Sequence, residues 1–174
     1  PALAIDPTTG TMYAAPSNGN ADLYRVDPGT GATILIGSTG LAIGDTFVTV
    51  GDMAFSPDGT LYAAVNIAGG SATGSDTLAT INKMTGKAII IGPFASVCPQ
   101  PPCTIDGMEA IAFDTTGNLF GALRERGAIG IPGLYKIDPK TAIATFLAPI
   151  LDANGMPLSG GVVSLQFCGR MLFG

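Results

Sequence analysis

Six charged residues have the type and placement for ligand chemistry: Asp45, Asp52, Asp106, Glu109, Arg124 and Arg126. The four acids stand just ahead of stretches where apolar and polar residues alternate. Side chains placed there could converge where those strands begin, and carboxylate oxygens suit calcium or a polar substrate. The calcium-loop spacing D-x-D-x-D-G is absent, however, and DPTTG and SPDGT read as turns. The competing reading of the four acids is solvated loop carboxylates. Arg124 and Arg126 flank Glu125 in LRERG, the densest charge group in the chain. A guanidinium could grip a carboxylate or a sugar face. The expectation here is a solvated loop with local ion pairs, which contribute little.

Catalytic options are few. The chain has no histidine, which excludes a Ser-His-Asp triad, a Cys-His pair and histidine-ligated haem. Its two glutamates, Glu109 and Glu125, are not paired by any recognisable spacing, so acid–base work on a sugar has no obvious carboxylate couple. Neither G-x-G-x-x-G nor GxxxxGK[ST] occurs. The expectation is a protein with no cofactor, calcium being the one candidate. An enzymatic reading remains as an alternative, a hydrolase or lyase using loop carboxylates with calcium.

Cys98 and Cys103 bracket the loop CPQPPC. They could form a metal or redox pair, or a local disulfide. Zinc would need ligands that the chain lacks, so the disulfide is the expectation, and with it an oxidising, extracytoplasmic compartment. Cys168 is left over, either as a buried thiol or as a partner for sequence elsewhere. Net charge is −5 and no basic cluster exceeds Arg124-Glu125-Arg126, which argues against nucleic acid as a partner. No apolar run reaches the roughly 18 residues of a membrane-spanning helix.

The elements that would position these residues are short strands. Of 174 residues, 47% are hydrophobic and only 12% charged, with 25 Gly and 13 Pro. That balance favours buried strands joined by frequent turns. One pattern occurs four times: LAIDPTTGTMYAA, MAFSPDGTLYAA, IAFDTTGNLFGA and VSLQFCGRMLFG. The related glycines, Gly10, Gly59, Gly117 and Gly169, recur at intervals of about 50 residues, a period that suits four-stranded repeat units. A second hairpin follows each of the first three: LYRVDPGTGATILIG, LATINKMTGKAIII and LYKIDPKTAIATFLA. Asp or Asn opens each turn, where it hydrogen-bonds the turn backbone, and Gly takes a positive φ. Tyr13, Tyr24, Tyr62 and Tyr135 repeat in register and are read as packing between units.

These units resemble bacterial β-propeller repeats of the NHL and YVTN kind across nearly the whole chain. The resemblance implies an all-β β-propeller with four-stranded antiparallel blades, incomplete in this chain. It implies the first strand of each blade nearest the axis and says little about chemistry. Blade one is placed at about 1–38, blade two at 51–94, blade three at 108–150, and a partial blade at 161–174. The sequence opens on Pro1 inside the first copy and stops in the fourth. An open arc exposes two apolar faces. They would be covered by further sequence of the same protein, by a second copy, or by another chain. The expected function is a non-enzymatic, extracytoplasmic binding or assembly module, with a surface or filament subunit as a variant that differs in its partner.

Overall fold

A computed structural model describes residues 1–16, 21–41, 47–68, 76–96, 105–123, 131–158 and 162–174. The first sheet holds β1 (Ala2–Ile5), β2 (Met12–Ala15), β3 (Asp22–Val26) and β4 (Thr33–Ser38) in that order, all antiparallel. The second holds β5 (Phe47–Phe55), β6 (Leu61–Ala68), β7 (Thr77–Ile81) and β8 (Ala88–Pro93). After a two-residue strand, β9 (Ala95–Ser96), comes the third sheet. It comprises β10 (Met108–Phe113), β11 (Leu119–Leu123), β12 (Gly133–Ile137) and β13 (Ile143–Ala148), with β9 added parallel to β13 at its outer edge. A hairpin of β14 (Gln166–Cys168) and β15 (Met171–Phe173) follows.

Turn chemistry makes the hairpins. Asp6 Oδ1 accepts from the Thr8 N–H at 2.8 Å, while the Asp6 carbonyl accepts from Gly10 N–H at 2.8 Å. Asp27, Asn82, Asp114 and Asp138 repeat the first bond with the residue two positions on. Gly10, Gly59, Gly117 and Gly169 sit at φ of 72°, 84°, 88° and 62°, a region that penalises any residue with a Cβ. The second sheet starts at Phe47, earlier than position 51, because FVTV continues the alternation of β5. The ladder shifts register between Val50 and Asp52, so Gly51 is the bulge that lets one strand span both parts.

Each sheet has two apolar faces and buries one against the next sheet. Ala4, Tyr13, Ala15 and Leu23 of the first pack on Val50, Met53, Leu61 and Ala63 of the second. Leu78 and Ala64 of the second pack with Ile111, Leu119 and Ile137 of the third. Ala110, Ala112 and Ala122 of the third meet Val162 and Leu165. An aromatic pair marks every seam at the same register. Tyr13 meets Phe55 at 5.6 Å between ring centroids, Tyr62 meets Phe113 at 5.0 Å, and Phe120 meets Phe167 at 5.4 Å, all tilted by 52–55°. Gly121, beside Phe120, makes room for side chains of its own sheet: a Cβ there would sit 2.6 Å from Met108 Sδ and 2.7 Å from Ile137 Cδ1.

The four tyrosines therefore divide. Tyr13 and Tyr62 pack across seams as expected. Tyr135 is also buried in the seam between the second and third sheets, where it meets Phe146 of its own sheet edge-on at 5.4 Å and donates its hydroxyl to the Ile131 carbonyl at 2.6 Å. Tyr24 is half-buried on the free face of the first sheet. Their recurrence in the repeat reflects one strand pattern serving two environments, the seams and the free face. The seam contact is testable: Phe113→Ala should lower the unfolding free energy by about 2 kcal/mol. A double-mutant cycle with Tyr62→Ala should return a coupling of about 1 kcal/mol in chemical denaturation.

Candidate functional site

The inner strands β1, β5 and β10, together with residues 164–167, converge on one cavity of about 250 Å³. Its walls include Leu3, Ile5, Asp52, Phe113, Ser164 and Gln166. Sheets radiating from a shared axis place one strand of each nearest the centre, so this cavity is the place where side chains from all units meet.

Asp52 is the acid that the fold delivers there. It lies within β5, past the bulge at Gly51, and not in the loop ahead of the strand. Its side chain is buried. Oδ1 accepts from Met53 N–H at 2.8 Å and Oδ2 from Ile111 N–H of the next sheet at 2.8 Å. Burial pushes its carboxyl up to about 6, against the two N–H donors that favour the charged form. Pairing shows why this position stands out. Ala2, Asp52 and Ala110 hold equivalent places opposite Ala15, Ala64 and Ala122. One inner strand thus carries a carboxylate where the other two carry a methyl group.

Asp106 and Glu109 do not join Asp52 in lining this cavity. Asp106 is half-buried just ahead of β10, and Glu109 lies in β10 where the ladder shifts register between Met108 and Ala110. Among the described residues no three acidic or cysteine side chains gather as a metal site would require. Asp45, Arg124, Arg126 and the expected Cys98–Cys103 disulfide lie outside the described residues. Cys168 is an exposed free cysteine, not a buried thiol, because β14 faces open solvent at the end of the arc.

Two further seam carboxylates were not singled out from the sequence. Asp76, buried ahead of β7, accepts from Gly107 N–H at 2.7 Å and Met108 N–H at 2.8 Å with Oδ2. It fixes the start of the third inner strand from the second sheet. Asp6 receives Lys83 Nζ at 2.5 Å, and the same ammonium donates to the Gly59 carbonyl at 3.2 Å and lies 5.8 Å from the Phe55 ring centroid. Burial opposes the Asp6 charge, but Lys83 and Thr8 outweigh it and hold the carboxyl well below the usual range. The readable signal was Lys83 itself, which stands where the equivalent turns have Pro28 and Pro139.

No protein-family model matches this sequence, and no curated protein matches it. Solved structures do. The chain is similar to the PQQ-bound form of aldose sugar dehydrogenase from Streptomyces coelicolor, with a TM-score of 0.51 at 17% identity over 90% of this chain and 48% of that one. It is similar to a protein from Lactobacillus plantarum, with a TM-score of 0.51 at 16% identity over 93% and 42%. It also resembles an auxiliary nutrient binding protein from Bacteroides thetaiotaomicron, with a TM-score of 0.50 at 13% identity over 96% and 42%. The fold is that of an incomplete β-propeller. At these identities the likeness concerns architecture alone, and the chain spans less than half of each of those three proteins. The four units are thus three complete four-stranded blades and an inner hairpin. Among the described residues no helix is long and apolar enough to cross a membrane.

The seam carboxylates give two measurable consequences. Asp52 binds its proton more tightly in the folded chain than in the unfolded one, so it stabilises least once it ionises. Its contribution should fall as pH rises from about 4 to about 6, on the order of 2 kcal/mol. Asp6 and Asp114 are lowered, Asp114 to about 2, and their stabilisation is lost as pH falls below 4. Unfolding free energy should therefore peak near pH 4–5, and Asp52→Ala should flatten the alkaline side of that peak.

For the other seam, Lys83→Met keeps the stem and removes the ammonium. It should cost about 1–2 kcal/mol at pH 7. The difference from wild type should persist through pH 4 and close only under stronger acid, when Asp6 protonates. Thermal melts at a series of pH values would show both effects.

Proposed function

We propose that this chain is a non-enzymatic, extracytoplasmic β-propeller module of the NHL/YVTN-like kind. Its role is binding or assembly, and further blades, from more chain or from another copy, complete its ring. The blades are taken as 1–38, 51–94 and 108–150, with a partial blade at 161–174. The extracytoplasmic assignment rests on the CPQPPC loop and the disulfide expected there. The observation that carries the assembly reading is the free face of the first blade. Leu3, Met53 and Ile111 occupy equivalent positions, opposite Ala14, Ala63 and Gly121. Met53 and Ile111 are 4% and 1% exposed against the preceding blade, whereas Leu3 is 55% exposed. At the other end Phe173, on the strand equivalent to those of Tyr62 and Phe120, is 54% exposed. The arc thus presents the two halves of its own repeating seam, one at each end.

A face built like an internal seam is made to be covered by a blade. That the chain spans less than half of each of the three similar solved structures supports the same reading. Native mass spectrometry of the protein from its source tests it. The expected result is a chain mass well above 17.5 kDa, or an assembly of more than one chain, with Leu3→Asp weakening that assembly or destabilising the longer chain. A soluble 17.5 kDa monomer, equally stable with Asp at position 3, would overturn it.

A further inference from the structure

The segments leaving the first and second blades each cross the outer rim of the next blade. After β4 the chain crosses the second blade, where the Thr39 carbonyl accepts from Ala88 N–H at 3.0 Å. After β8 the same stretch crosses the third blade, where Ala95 and Ser96 pair parallel with Ile143 and Ala144. The two straps leave their own blades alike but meet the next rim one residue apart, since the Phe94 carbonyl accepts from Ile105 N–H at 3.0 Å and Ala95 and Ser96 make the rim contact. Thr39 N–H donates to the Ala21 carbonyl at 3.3 Å, and Phe94 N–H to the Asp76 carbonyl at 2.8 Å. Thr39 and Phe94 are both buried. What each strap covers is also equivalent: Gly86 to Ala88 in the second blade and Ala142 to Ala144 in the third, of which Gly86, Ala142 and Ala144 are buried.

In the first blade the equivalent stretch is Gly31 to Thr33. All three residues are exposed, and an added Cβ on Gly31 would meet nothing within 4 Å. On Gly86 the same Cβ would lie 2.4 Å from the Gly37 carbonyl oxygen, and a Cβ on Gly37 would lie 2.4 Å from Thr85 O. The tight crossing thus joins glycine to glycine. Across the looser one, a Cβ on Gly92 would lie 3.6 Å from Thr141 O, and the rim carries Ala142.

We propose that Gly31–Thr33 is a docking edge for an extended strap delivered by the outer strand of another propeller blade. That strap would run parallel along the start of β4, as β9 runs along β13. It carries glycine where it crosses Gly31, as Gly37 does over Gly86, and a buried residue two positions later whose carbonyl accepts the Thr33 N–H. Recognition is by main-chain hydrogen bonds and one buried side chain, the physics of strand addition at an open edge. This proposal rests on the reading that further blades complete the ring, and it names the contact through which the first blade is engaged.

Hydrogen exchange on the protein as isolated from its source separates the two claims. The Thr33 amide should exchange about as slowly as that of Ala88, its covered equivalent, and the Leu3 amide should be slow as well. Thr33→Pro, which deletes the donor at the first position of an edge strand, should weaken the assembly or the longer chain by tenfold or more. The same change should leave the melting point of the 174-residue chain unchanged. Fast exchange at Thr33 with slow exchange at Leu3 would overturn the strap and keep the blade-completed ring. Fast exchange at both would overturn both.

Discussion

A four-stranded sheet whose residues are small and apolar on both faces cannot be stable alone, and the rest of this structure follows from that constraint. Two-sided burial demands a neighbour on each side. Strands alternate their side chains, so the same few positions in each unit always face the same neighbour. That is why Tyr13, Tyr62 and Phe120 each meet an aromatic ring of the next unit at nearly constant separation. Stability is then largely a sum over seams, as in other repeat architectures, and the two ends of the arc are where the sum is incomplete.

Apolar packing repeats, but the polar fasteners do not. The first seam uses an ion pair between turns, Asp6 with Lys83. The second uses two buried carboxylates that accept backbone N–H groups, Asp52 and Asp76. These fasteners act where a sheet edge presents N–H groups that the ladder leaves unused, and such groups are costly to bury without an acceptor. Aromatic packing brings the sheets together with little directional preference. A carboxylate that must reach particular amides fixes how far one blade slides along the next.

Much of this was legible in the sequence because local chemistry and fold agree. Gly10, Gly59, Gly117 and Gly169 announced the hairpins, since φ beyond +60° is a backbone demand visible in residue type. The Asp-led turns and the strand alternation were equally local. What escaped depended on pairing between distant segments. The parallel strand β9 involves only Ala95 and Ser96, and two small residues after a proline carry no periodic signal. Asp76 sits in a Gly- and Ser-rich stretch that reads as loop, although its partners, Gly107 and Met108, lie a blade away. From the sequence Asp52 reads as a loop acid. Because β5 reaches back to Phe47 it is a strand residue, and only the register shows that its counterparts are alanines.

Asp52 also bears on where this arc could act. It lines the cavity that all four units share, yet both of its oxygens already accept backbone N–H groups. A ligand competing for it would have to break a seam contact between the second and third blades. The first-blade rim carries no such commitment, since Gly31 to Thr33 are exposed and the strands behind them are already paired. In this molecule the axial carboxylate is committed to holding blades in register. Among the described residues the two uncovered halves of the repeating seam lie at the ends of the arc, Leu3 on the first blade and Phe173 on the terminal hairpin.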